Sequence, residues 1–332
     1  MISIVIPVHN GEKYIDRAIK SVINQRGNWE LIVVNDHSVD STERILNSHS
    51  SNNERVHVIN SESYGVTNAR MTGAKEASGD YLFFMDIDDE IPKDTIISMC
   101  EALEENPNLD IIISDIIDVL DSNNIKNRSY GNHCFSRGIQ LFEWIVDNHT
   151  GYLWGKAINK NLFLSLDFVP SKLKFCEDYI QMLQLSIKAQ RIKHIGKAGY
   201  IYYQIPDSAC NKLKTRNIFA KQFYDLASAL KDLTKIRSFN SKNYNGTISP
   251  GQRVRVMFLY YTRLYLAVSG KWGKDENHLR EAYKLWMKDV SLELDKLYDR
   301  RRRIQTKFAY YVPILMAIVY VPLLRYKYHR IK

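Results

Sequence analysis

Two hydrophobic periods alternate along the first third of the chain. Residues 2–8 form a short, largely apolar run through Pro7, turned by His9-Asn10-Gly11. Ile15, Ala18, Ile19, Val22 and Ile23 then fall at i, i+3, i+4, i+7 and i+8, the stripe of an amphipathic helix lying on a sheet. Residues 29–34 are a second apolar run, closed by Asn35-Asp36-His37-Ser38. Asp40 with Glu43 predicts a capping box and a helix to about Asn47. Residues 55–60 alternate as a third strand, and a helix of small residues follows over 68–77. Residues 81–85 (Tyr-Leu-Phe-Phe-Met) have the composition of a strand buried on both faces. Strict alternation of strand and helix predicts an α/β fold with a doubly wound, mainly parallel sheet flanked by helices.

The pattern continues less regularly. A helix is expected over 94–106, a buried strand over 109–113, a loop tip at Asp121-Ser122-Asn123-Asn124 and a helix over 139–147. Phe175-Cys176-Glu177-Asp178-Tyr179 leads into a helix carrying Ile180, Leu183 and Ile187. From Thr215 onward the chain is mostly helical, near 218–236, 251–268 and 276–298. The expected division is 1–210 as a catalytic domain, with halves 1–115 and 116–210. A helical region, 211–298, and a tail, 299–332, follow it.

Charge refines the last of these. The 332 residues carry a net charge of +9. Ten Lys/Arg and one acid, Asp299, lie between Lys296 and Lys332, so the preceding 295 residues are neutral, with 36 basic and 36 acidic side chains. Nucleic-acid binding calls for basic residues spread among aromatics on one face, and is disfavoured here. Residues 308–324 are 17 in a row without charge, between Arg300–Arg303 and Arg325, Lys327, Arg330 and Lys332. Pro313 and Pro322 disturb a spanning helix. The tail is expected to lie on, or dip into, the cytoplasmic face of a membrane with its arginines on anionic headgroups. Cys100, Cys134, Cys176 and Cys210 form no CxxC pair, and without a secretory signal at Met1 they read as reduced thiols in a cytoplasmic protein.

Candidate chemistry sits at the strand ends. Ligands of open α/β sheets bind beyond the carboxyl ends of the strands. Asn10, Asp36 and the carboxylates Asp86, Asp88 and Asp89 all fall there. Crowded carboxylates repel one another, and a hard divalent cation, Mn²⁺ or Mg²⁺, relieves that repulsion while bridging to phosphates. The plain alternative is a solvated acidic turn before a helix cap at Asp94. Neither GxGxxG nor GxxxxGK[ST] follows the first strand, which disfavours dinucleotide dehydrogenases and P-loop NTPases. Glu177 and Asp178 at a helix start have a dipole explanation of their own.

These blocks resemble glycosyltransferase family 2. Ser3-Ile4-Val5-Ile6-Pro7-Val8-His9-Asn10, the Glu30–Ser38 run with Asp40-Ser41-Thr42, Gly65-Val66-Thr67-Asn68-Ala69-Arg70 with Gly73, and Gly79 through Asp89 follow its order and spacing. The likeness is close over 1–115, looser over 150–205 and slight beyond Thr215. It implies the GT-A fold, a UDP-sugar donor, a divalent metal and inversion at the anomeric carbon. Pro7, Val8, Asn10, Asp36, Arg70, Asp86 and Ile87 match the donor site, with Asp36 on the base and Asp86 near the ribose. Asp88, with Asp86, matches the metal site, and Asp178, in the pair with Glu177, matches the catalytic base. His9 departs from a common Tyr. Trp154-Gly155-Lys156 resembles the acceptor side of capsule and lipopolysaccharide enzymes, which implies a glycan or polyprenyl-diphosphate-linked saccharide as acceptor. The rival reading is a non-catalytic, membrane-associated nucleotide-sugar-binding scaffold. A nucleotidyltransferase should carry a glycine-rich signature near the N-terminus.

Overall fold

The computed structural model describes residues 1–121, 124–130, 135–148, 151–173, 175–205, 216–240, 249–269, 271–272 and 276–289. The basic tail expected to meet a membrane, 299–332, lies outside them, as do Cys134 and Cys210. In chain order the elements are β1 (Ile2–Val8), α1 (Ile15–Ile23), β2 (Trp29–Asn35), α2 (Thr42–Asn52), β3 (Val56–Asn60), α3 (Val66–Glu76) and β4 (Tyr81–Phe84). Then come α4 (Thr95–Glu105), β5 (Ile111–Asp121), β6 (Asn124–Arg128), α5 (Gly138–Asn148), β7 (Lys156–Asn159), α6 (Lys160–Leu164), α7 (Glu177–Lys188) and β8 (Ile192–Tyr203). Three further helices follow, α8 (Arg216–Leu233), α9 (Pro250–Ser269) and α10 (Asn277–Asp289). The chain divides into two compact units: Met1–Ser171 with Glu177–Pro206, and Lys172–Cys176 with Asp207–Lys332.

The first unit is built on one mixed sheet of order β3-β2-β1-β4-β7-β5-β6, with β8 paired to β5. β1 is parallel to both β2 and β4, and every residue of these three strands is buried. Their apolar runs are therefore continuous rather than alternating, as expected of strands covered on both faces. β7 enters antiparallel between β4 and β5 and makes the sheet mixed. Pro7 is tolerated inside a central strand because β4 pairs β1 only from Ile2 to Val5. The Met85 N–H donates to the Val5 carbonyl, so alternation turns Pro7 toward the same side, where no strand remains to be bonded. The sheet opens there, at the carboxyl ends.

Helix α3 lies close on the sheet because Gly73 has no side chain. A Cβ there would stand 2.5 Å from Val5 Cγ1 and 3.0 Å from Val34 Cγ2. This close approach sets Arg70, one turn earlier, over the strand ends.

Several local expectations change. No capping box forms at α2: Asp40 accepts from the Thr42 N–H (3.0 Å) and the Glu12 N–H (3.2 Å), binding the helix start to the β1 turn, and the helix runs to Asn52. Asn124, expected in a loop tip, is the first residue of β6, which forms a hairpin with β5. β8 was not expected: its mixed polar sequence, IKHIGKAGYIYY, hides a strand only partly buried.

From Arg216 to Asp289 the described residues of the second unit are mostly helical, with an aromatic core. Ala220, Phe223, Leu264, Tyr265, Leu266 and Val268 cluster together, with Tyr224, Tyr260, Tyr261 and Trp272 packed against them. Among the described residues no helix is long and apolar enough to cross a membrane.

Candidate active site

The sequence-predicted residues gather at the carboxyl ends in two adjoining groups. In the first, the turn after β1 meets the turn after β2. His9 donates through Nδ1 to the Asp36 carbonyl (2.6 Å), and Asn10 Oδ1 accepts from the Val39 N–H (2.9 Å). The buried Asp36 carboxylate accepts from the Gly65 N–H (2.8 Å), joining β2 to the start of α3. Gly11 admits Ile87 beside Val8, since a Cβ would stand 3.1 Å from Ile87 Cγ1 and 2.5 Å from Val8 Cγ2. Val8, Asn10, Asp36 and Ile87 thus stand around the two turns at one corner, with Pro7 buried in β1 next to them.

The second group is centred on Arg70, whose side chain is 3% exposed. Its Nη2 donates to Asp86 Oδ1 (2.9 Å), while Nη1 reaches both Glu177 Oε1 (3.3 Å) and Asp178 Oδ1. Burial works against the buried guanidinium's charge, but the three carboxylates hold it protonated. Asp178 also accepts from the Leu153 N–H (3.4 Å). Burial pushes the Asp178 carboxyl above the usual carboxylate range, with Arg70 pulling it down and Glu177 pushing it up. The Glu177-Asp178 pair is therefore far more than a favourable helix start. It is ion-paired across more than 100 residues of sequence.

The acidic turn that follows β4 divides its labour. Asp89 is turned inward, accepting from Tyr200 Oη (2.7 Å) and the Tyr203 N–H (2.9 Å). Burial, then Asp86 and Asp88, push it up to about 8. Arg17 of α1 donates to the Asp88 carbonyl, lies 3.2 Å from Glu90 Oε1 and sits 3.9 Å over the Tyr203 ring. The Asp88 carboxylate differs: among the described residues no cation stands within ion-pair distance of it, and burial, then Asp86, push it up to about 6. An under-compensated carboxylate next to a second one is a hard oxygen donor set, and it fits Mn²⁺ or Mg²⁺. No group of three or more His, Cys, Asp or Glu poised for a metal occurs among the described residues. Two carboxylates suffice for an ion that takes its other ligands from water and phosphate.

Trp154 and Lys156 are brought near the site but not into the open. Trp154 is 4% exposed and stacked on Tyr152 (centroids 4.3 Å) and Tyr200 (4.6 Å). Lys156, 2% exposed, donates to the Tyr152 (2.8 Å) and Trp154 (3.3 Å) carbonyls, and burial lowers its amine to about 7. Tyr152, 36% exposed, is the ring of this stack most open to solvent.

The match to known proteins follows the same residues. Residues 3–163 match the family described as glycosyl transferase family 2. Over that stretch, just under half of its length, the chain is similar to glycosyl transferase family 2. It is 28% identical over 213 residues to glycosyltransferase GlyA of Streptococcus pneumoniae serotype 4, an alignment covering 60% of this chain and 30% of that protein. To the minor teichoic acid biosynthesis protein GgaA of Bacillus subtilis it is 25% identical over 277 residues, covering 80% of this chain and 60% of the relative. The chain thus spans less than two thirds of either curated relative. The fold is that of TarS 1-349 from S. aureus, a structure solved in complex with UDP-GlcNAc, at a TM-score of 0.70 and 18% identity over 98% of this chain and 92% of that one. The GT-A arrangement and the helical C-terminal region follow from that likeness.

Sequence reading missed Tyr200, Tyr203 and Arg17. The signal for the two tyrosines was a tyrosine-rich run, 200–203, in a stretch with no clear period, while Arg17 sits unmarked among the polar positions of α1.

Proposed function

We propose that the protein is an inverting glycosyltransferase that moves a sugar from a UDP-sugar to a hydroxyl of a glycan or lipid-linked saccharide in cell-surface polysaccharide synthesis. The observation that carries this reading is Arg70, which gathers a donor-side acid, Asp86, and the candidate base, Asp178, on one guanidinium. The family of residues 3–163, the teichoic acid relative and the UDP-GlcNAc complex of a protein with this fold support it.

On this reading Asp36, Asn10, Pro7, Val8 and Ile87 receive the nucleotide. Asp178 takes the proton from the acceptor hydroxyl as its oxygen attacks the anomeric carbon, opposite the departing diphosphate. Its buried position raises its basicity toward neutral pH, and Arg70 and the Leu153 N–H hold its orientation. Glu177, on the same guanidinium, keeps Arg70 in place. A divalent ion on Asp88 and Asp86 would act as a Lewis acid for the charge that builds on the leaving group. Trp154 and Lys156 serve the acceptor indirectly, by fixing the backbone on which the exposed Tyr152 sits. Residues 299–332 bring the enzyme to the membrane surface.

The test is nucleotide release across UDP-, GDP- and CMP-sugars, with Mn²⁺ and then with EDTA. Metal-dependent UDP release from one sugar is the expected result. Failure to bind or turn over any nucleotide sugar would overturn the proposal in favour of a scaffold.

A further inference from the structure

Tyr200 occupies an unusual position for a fully buried tyrosine. A buried hydroxyl needs one partner. Tyr200 has two, both in the acidic turn: it donates to Asp89 Oδ2 (2.7 Å) and accepts from the Asp86 N–H (3.0 Å). The second bond has a topological cause. Met85 turns its N–H to β1, so alternation turns that of Asp86 to the β7 side. β7 pairs β4 only from Tyr81 to Phe83, leaving the Asp86 N–H beyond the end of its neighbour. The phenol of Tyr200 stands where a strand carbonyl would have been.

The ring of Tyr200 is fixed from the other side. It stacks on Trp154 at 4.6 Å and 15°, and Trp154 stacks in turn on Tyr152 and on Tyr202 (5.4 Å, 7°). Next to Trp154 is Leu153, whose N–H bonds Asp178. A closed circuit of contacts results, running from Asp86 through Tyr200, Trp154 and Leu153 to Asp178, and back to Asp86 through Arg70.

We propose that Tyr200 is a positioning residue of the candidate metal site: its hydroxyl sets the backbone of Asp86, and its ring holds that backbone in register with the segment that orients Asp178. The inference rests on the reading of Asp86 and Asp88 as metal ligands. Groups that hold a metal ligand in place typically change affinity by about 10- to 100-fold when removed.

The experiment is Tyr200→Phe in the full chain, with Mn²⁺ titrated by electron paramagnetic resonance in the presence of saturating UDP. The ring stack survives the substitution and the hydroxyl does not. Mn²⁺ affinity is expected to fall about tenfold, and peptides covering 85–90 should exchange their amide hydrogens faster. A purely structural tyrosine would lower the melting temperature yet leave the Mn²⁺ affinity of the folded protein unchanged, and that result overturns the proposal. Should Tyr200→Phe not fold, Trp154→Phe carries the test. It keeps the hydroxyl but shrinks the stack, so a smaller loss of Mn²⁺ affinity supports the proposal and no loss overturns it. Wild-type protein that binds no Mn²⁺ overturns both this inference and the metal assignment, whereas wild-type binding matched by both variants overturns this inference alone.

Discussion

Two buried carboxylate sites lie at opposite ends of the same strands, and they are built on opposite terms. At the amino end, Glu30 of β2 accepts from the Ser3 hydroxyl (2.6 Å) and from the N–H groups of Ser78 (2.6 Å) and Gly79 (3.2 Å). Burial works to raise its pKa, but these bonds outweigh it and hold the carboxyl below its ordinary value. At the carboxyl end, Asp88 and Asp89 are both pushed up by burial and then by Asp86, with Asp88 adding to the rise of Asp89. One end spends its acid on the fold. The other pairs Asp86 with Arg70 and bonds Asp89 to Tyr200, but leaves the Asp88 carboxylate without a cation within ion-pair distance among the described residues, the state of a group open to a cation or a proton.

That contrast can be broken or sharpened by substitution. The largest effect is expected at Asp178, where Asp178→Asn should lower acceptor-dependent turnover about 10³-fold, within the range for a general base. UDP-sugar binding, followed by calorimetry, should survive, and its loss would move Asp178 to the donor side. Glu30→Ala strands the buried Ser3 hydroxyl proton and the Ser78 N–H, while Gly79 keeps its bond to Ser3 Oγ, and should cost about 2 kcal/mol of stability in denaturant titration, with the donor affinity of the folded protein unchanged. Asp88→Asn should do the reverse. Relieved of a crowded charge, the metal-free protein should gain about 1 kcal/mol, while Mn²⁺-dependent UDP release disappears. A loss of stability in Asp88→Asn would mean that the two ends are alike after all.

The smallest effect is a pH dependence at the amino end. The folded pKa of Glu30 is depressed, so its contribution is fully present above the ordinary value of 4.5 and is lost as pH falls through the folded value. The stability difference between wild type and Glu30→Gln should therefore be flat above about pH 5 and shrink below 4.5. A difference that grows on acidification would reverse the assignment.

The first half of the sheet was legible because periods of 2 and 3.6 residues are local: β1 and α1 begin and end where the apolar pattern does. The clustering of Asp36, Asp86 and Asp88 was legible because strand ends collect ligands in this architecture. What could not be read is held by long-range pairing. Nothing near Glu177 announces Arg70, and nothing near Asp86 announces Tyr200. Trp154 and Lys156 were visible as residue types but not as buried ones, since their burial depends on Tyr152, Tyr200 and Tyr202 standing around them. At α2, the capping box lost to a tertiary partner, because Asp40 bonds the Glu12 backbone from another element.

The place of β7 has a consequence for the order in which the molecule assembles. β5 reaches β4 only through β7, yet β7 leaves the ribosome after it. While β1 to β4 can pair as they are made, β5, already paired with β6, must wait to join them for a strand some 35 residues downstream, and Arg70 waits longer still for Glu177 and Asp178. The candidate site is thus among the last parts of its unit to exist on a growing chain, and it stays unfinished until most of the first unit has been synthesised.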